Sequence, residues 1–170
     1  MNAVFYISSI IAVVATAMVV TRVNVVHALL YLIVSLLAVA LIFFVLGAPF
    51  VAALEVLIYA GAIMVLFVFV IMMLNLGARG EAHQKALLSP AIWIGPGILA
   101  IVLLGELIYV LLGQDLPRTS GGEVSPKEVS LALFGPYVLG VELASVLLLA
   151  GLVGAYHLGR RVVAPRKEGS

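Results

Sequence analysis

Cysteine is absent from the 170 residues, so the chain can form no disulfide, no thiolate metal site, no cysteine-ligated Fe–S cluster and no thioether haem attachment. Charge is almost as scarce. Asp, Glu, Lys and Arg make up 10% of the sequence, where a soluble domain carries about a quarter. Also missing are a P-loop, a dinucleotide-binding glycine fingerprint and an HExxH helix, as is the inverted internal repeat found in many secondary transporters. What remains is apolar: 65% of the residues are hydrophobic, gathered in runs of the length that spans a bilayer as helix, about 20 residues. A transmembrane barrel would alternate in shorter segments. The composition therefore predicts an all-α integral membrane protein in which soluble chemistry, if any, belongs to other chains.

Charged and turn-forming breaks divide the chain into five predicted transmembrane helices in a single membrane domain over residues 1–170. They cover residues 3–20, 25–46, 52–74, 91–112 and 131–158, followed by a basic tail at 159–170. The first run has no Lys or Arg ahead of its apolar core, unlike a signal peptide, and is expected to stay as a helix. Gly47-Ala48-Pro49 makes a tight uncharged turn between the second and third helices, and Asn75-Leu76-Gly77 supplies a stop after the third. The segment from Gly113 to Ser130 reads as a Pro/Gly/Ser-rich external loop or short linker.

Orientation follows from Lys and Arg. The first and third loops and the tail share one side and hold seven: Arg22, Arg79, Lys85, Arg160, Arg161, Arg166 and Lys167. The other side holds two, Arg118 and Lys127. The positive-inside bias predicts a periplasmic N-terminus and a cytoplasmic C-terminus, in a multi-pass protein of the bacterial inner (plasma) membrane.

Three carboxylates fall inside predicted spans: Glu55, Glu106 and Glu142. In hydrocarbon a carboxylate costs about 2.5 to 3.5 kcal/mol even on the lenient insertion scale, so such a group faces protein or water. One reading makes them protonatable groups along a water-accessible path in the outer half of the bilayer. The other makes them interfacial residues that snorkel outward or pair with a neighbouring chain. Tyr59 shares a helix face with Glu55 and Ala62 at i, i+4 and i+7, and can hydrogen-bond Glu55 or an ordered water. It lies too deep for the interfacial aromatic belt. Gly61 serves either close helix packing or a π-bulge that loosens the backbone. Met64, Phe67, Phe69, Met72 and Met73 read as packing or lipid contact, and Ser35 and Ser145 as hydroxyls bonded back within their own helices. His27, His83 and His157 have no metal-ligand spacing, so no metal or haem is assigned.

The third run, EVLIYAGAIMVLFVFVIMMLN, resembles the signature third transmembrane helix of the NuoJ family, the chain-J (mitochondrial subunit six) membrane component of respiratory complex I. The likeness rests on Glu55, the block Tyr59-Ala60-Gly61-Ala62-Ile63-Met64-Val65-Leu66-Phe67-Val68-Phe69, and Met72-Met73-Leu74-Asn75. Outside this stretch it is architectural: five spans, a small-residue turn between helices two and three, and a variable loop before the last helix.

The resemblance implies a subunit of a proton-translocating NADH:quinone oxidoreductase that binds no cofactor itself. NADH, FMN, Fe–S clusters and a quinone are used by other subunits. Implied neighbours are chains resembling NuoA, NuoH, NuoK and NuoN. It also implies a conformational switch, straight α to π-bulged, around Tyr59, Gly61, Val65 and Phe67, linking quinone chemistry to pumping channels. Glu55, Tyr59, Glu106 and Glu142 are then the proton-path candidates, with no catalytic residue in this chain. Two alternatives stand beside it: a purely structural scaffold subunit of the same complex, or a small stand-alone ion transporter.

Overall fold

The computed structural model describes residues 2–73, 91–112 and 122–159, and all regular secondary structure among them is helical. Among the described residues, five helices are long and apolar enough to cross a membrane: Ala3–Thr21, Val25–Val45, Pro49–Ile71, Ile92–Leu112 and Val138–Gly159. Seven of the nine cations, all but Arg22 and Lys127, lie outside the described residues, so the orientation argued from them remains an expectation. The expected single body divides into two compact units, Met1–Ser125 and Pro126–Ser170.

In the first unit, α1 (Asn2–Thr21) and α2 (Val25–Val45) form the most extensive helix pair. The buried residues of α1 are Val4, Ser8, Ile11 and Ala15, spaced four, three and four apart, the stripe of a helix packed lengthwise on a neighbour. Ala15 of α1 and Ala38 of α2 are both wholly buried, and small side chains in a helix interface let backbones approach closely. Ser35 differs from expectation: its hydroxyl lies 2.8 Å from Thr16 Oγ1 and also donates to the Ala12 carbonyl of α1 at 3.3 Å. Packed this tightly, a serine finds better-placed partners across the interface than in its own helix. Ser145, by contrast, does bond back, donating to the Val141 carbonyl at 3.0 Å.

Asn24 caps α2, its side chain accepting from the His27 N–H at 3.2 Å. The His27 ring stacks at a tilt on Tyr31, with centroids 5.0 Å apart, and the Arg22 guanidinium lies 5.9 Å from the Tyr31 centroid. Tyr31 in turn packs over Gly95 of the fourth span, α5 (Ala91–Leu112), where any β-carbon would collide with its hydroxyl.

The turn after α2 is a Schellman motif. Gly47 has φ 87°, its N–H donates to the Phe44 carbonyl at 3.1 Å, and the Ala48 N–H reaches Phe43 at 3.0 Å. Pro49 then opens the third span in the first helical turn, where its missing N–H costs nothing. The span consequently starts three residues before the predicted Ala52.

The second unit departs further from the sequence reading. Part of the supposed loop is helical: α6 runs Pro126–Leu133, with Pro at its first position and Glu128 in the first turn, a helix-start pattern. The last span does not begin at Leu131. The helix breaks over residues 134–137 and resumes as α7, Val138–Gly159. Pro136 explains the break, since it supplies no N–H and its ring clashes with the carbonyl four residues back. Glu142 is thereby four residues into its span rather than about eleven.

Candidate functional site

The third span is one continuous helix in three registers. α3 (Pro49–Leu54) passes into a π-helix, π1 (Glu55–Ile63), and returns to α-helix in α4 (Met64–Met73). At the first junction the Glu55 N–H bonds Ala52 and Val51, spacings of three and four. At the second, the Met64 N–H bonds Gly61 and Tyr59, spacings of three and five, passing over Ala60. π-Helix is rare, usually a single-turn bulge, and concentrates at functional sites; here it holds nine residues.

Glycine at position 61 and the lack of buried side chains both leave room for the wider register here. A β-carbon on Gly61 would lie 3.2 Å from the Val56 carbonyl oxygen five residues back, so glycine leaves this register free of a tight contact. No residue of π1 is buried. The stretch is instead held at its ends, by Ala52 before it and by Met64 after it, the latter 1% exposed.

The switch candidates distribute across the junction. Tyr59 and Gly61 lie within π1, and Val65 and Phe67 lie beyond it, in the first turn of α4. Tyr59 is half exposed at 49%, and its hydroxyl and the partly exposed Glu55 make no hydrogen bond to each other. Phe67 and Phe69 are also exposed, whereas Met64 is core. The side chain of Met72 lies outside the described residues. Beside the third span, an apolar groove of about 510 Å³ runs against α2 and α5, lined by Leu41, Phe44, Ala52, Val56 and Leu103 among others.

The three carboxylates have different surroundings. Glu142 is exposed on α7, in the second unit. Glu106 is buried on α5, the middle member of the stripe Leu103, Glu106 and Val110. Its Oε2 accepts a 2.7 Å hydrogen bond from the hydroxyl of Ser8, itself the interior member of the α1 stripe. Sequence reasoning passed over Ser8. The available signal was a serine in register with Val4, Ile11 and Ala15, at the helical spacing that places it on the packed face. Among the described residues no three His, Asp or Glu lie close enough to hold a metal ion.

The family described as NADH-ubiquinone/plastoquinone oxidoreductase chain 6 matches residues 15–158. A protein of Escherichia coli (strain K12) named NADH-quinone oxidoreductase subunit J is 53% identical over 175 residues, spanning 100% of this chain and 95% of its own length. The protein of the same name from Pseudomonas aeruginosa is 56% identical over 165 residues, covering 95% of this chain and 98% of its own. That from Buchnera aphidicola subsp. Schizaphis graminum is 49% identical over 160 residues, covering 94% and 98%. A match over most of the chain, with relatives about half identical from end to end, means that this chain belongs to the NADH-ubiquinone/plastoquinone oxidoreductase chain 6 family.

Proposed function

We propose that this chain is a membrane-arm subunit of a proton-pumping NADH:quinone oxidoreductase and that its third span couples quinone reduction to proton translocation. It sits in the bacterial inner membrane with its N-terminus periplasmic, among chains like NuoA, NuoH, NuoK and NuoN. Cofactor chemistry belongs to other subunits. The observation that carries the coupling role is the π-helix over Glu55–Ile63, a second backbone register inside a helix with no buried residue to fix it. Returning one residue to the α register would turn α4 by about 100° relative to α3. Val65 and Phe67, though outside π1, lie on the part that turns, and Tyr59 and Gly61 lie where the turn originates. Quinone reduction nearby changes local charge, biases the two registers, and so makes or breaks a water path toward protonatable groups.

Gly61→Val tests this. A β-branched side chain crowds the Val56 carbonyl and stiffens the segment. NADH:quinone activity in intact membranes should fall while NADH oxidation by artificial soluble acceptors persists. Equal loss of both would indicate failed assembly and favour the scaffold role; retention of both would remove the switch.

A further inference from the structure

Ser9, Thr21 and Ser145 all return their hydroxyl protons to carbonyls of their own helices. Ser8 does not. It donates across the α1–α5 interface to Glu106 over 98 residues of sequence. Ser8 is wholly buried and Glu106 is 8% exposed, and this chain's own atoms close them in. The second carboxylate oxygen, Oε1, is sealed and has no donor. A partner subunit therefore cannot reach in to supply one.

Among the described residues counter-charge is absent as well. No described Lys, Arg or His pairs with Glu106, and Arg22, the cation on this pair of helices, is fourteen residues along α1 from Ser8, about 21 Å at the helical rise. A carboxylate at such a place carries an uncompensated charge in a low-dielectric interior. A proton on Oε1 removes that charge, and it leaves Oε2 free to keep accepting from Ser8.

We propose that Glu106 is a buried proton-binding site between the first and fourth spans, with the Ser8 hydroxyl as its positioning group. The site would exchange its proton during turnover, Oε1–H forming on uptake and breaking on release to water that enters the interface. This rests on the reading that the chain serves proton translocation, and it names one of the three carboxylates as the group that does so.

The test is infrared difference spectroscopy on the assembled complex in native membranes, comparing oxidised and NADH-reduced states. A protonated-carboxyl C=O band that shifts in deuterated water should appear in the unaltered complex and vanish in Glu106→Gln. Ser8→Ala should move the band, and Ser8→Thr, which keeps the hydroxyl, should restore its position. A band that survives Glu106→Gln, or that Ser8→Ala leaves unmoved, overturns the proposal. Where Glu106→Gln fails to assemble, the Ser8 pair still decides it. Gly61→Val keeps the two ideas apart: full coupled activity in that variant, with the band still answering to Ser8, would end the register switch and leave the proton site standing.

Discussion

At the crossing of α1 and α5 a carboxylate is closed in by the chain's own atoms and hydrogen-bonded to Ser8, whereas Glu55 on the third span stays partly exposed and unbonded to Tyr59. The surrounding helices differ in the same way. α1, α2 and α5 share one buried core, including Ile11, Ala15, Val34, Ala38 and Leu103. Between Ala52 and Met64 the third span buries nothing. π1 lies against α2, yet none of its side chains is buried there, so side-chain packing does little to choose between backbone registers, which is where a π-helix can persist. The packed region fixes one arrangement by itself; the third span leaves its choice to neighbours and water.

The largest effect should come from truncating a buried side chain of the third span. Met64→Ala removes the buried side chain at the end of π1. Burying a smaller residue leaves a cavity costing about 2 kcal/mol, the low end for such truncations because lipid is as apolar as the core. Faster thermal inactivation of quinone reductase activity in membranes should reveal it, with Leu66→Ala, 60% exposed, as the comparison. Equal inactivation of the two variants would mean that the third span is not held at Met64.

A smaller loss is expected where the packed region hands over to the third span. Gly47 holds φ 87°, a conformation that costs other residues about 1 to 2 kcal/mol. Its carbonyl also accepts from the Val124 N–H at 2.8 Å, so the turn serves two segments. Gly47→Ala should lower thermal stability by about half as much as Met64→Ala, while Gly47→Asn, which tolerates that backbone, should recover most of it. Full stability in Gly47→Ala would show that the turn relaxes and that the third span does not depend on its start.

Much of this was legible in the sequence because each signal was local. Long apolar runs gave five spans, Gly47-Ala48-Pro49 gave the turn, and the Glu55–Asn75 block carried the family resemblance. The misses came where a local signal was outvoted. Pro136 sits in an apolar run long enough to read as one helix, yet its ring breaks that run. The Pro126 and Glu128 helix start was hidden inside a segment rich in loop residues. Ser8 and Glu106 were each visible, but their pairing depends on how α1 and α5 dock, which no spacing within either helix states. Gly61 left packing and bulge open because both want a small residue; only the neighbouring carbonyl's position separates them.

The smallest effect on stability, and the sharpest on the contrast between the regions, is expected from Gly61→Ala set beside Gly97→Ala. Alanine is the better helix former by about 1 kcal/mol at either position. At Gly97 the new β-carbon meets nothing within 4 Å beyond its own helical turn, so the gain carries no consequence for register. At Gly61 it meets the Val56 carbonyl at 3.2 Å in the π register. In an α register the N–H of residue 61 turns to Leu57 instead, the arrangement in which alanine is the better helix former. The substitution therefore favours α over π, and a bias of about 1 kcal/mol changes their ratio by about fivefold. Thermal inactivation should stay near that of the unaltered complex in both variants, while proton pumping per NADH falls in Gly61→Ala alone. Matching pumping in the two would leave π1 as a static feature of the helix, and the third span would then differ from α1 and α5 only in how little of it is buried.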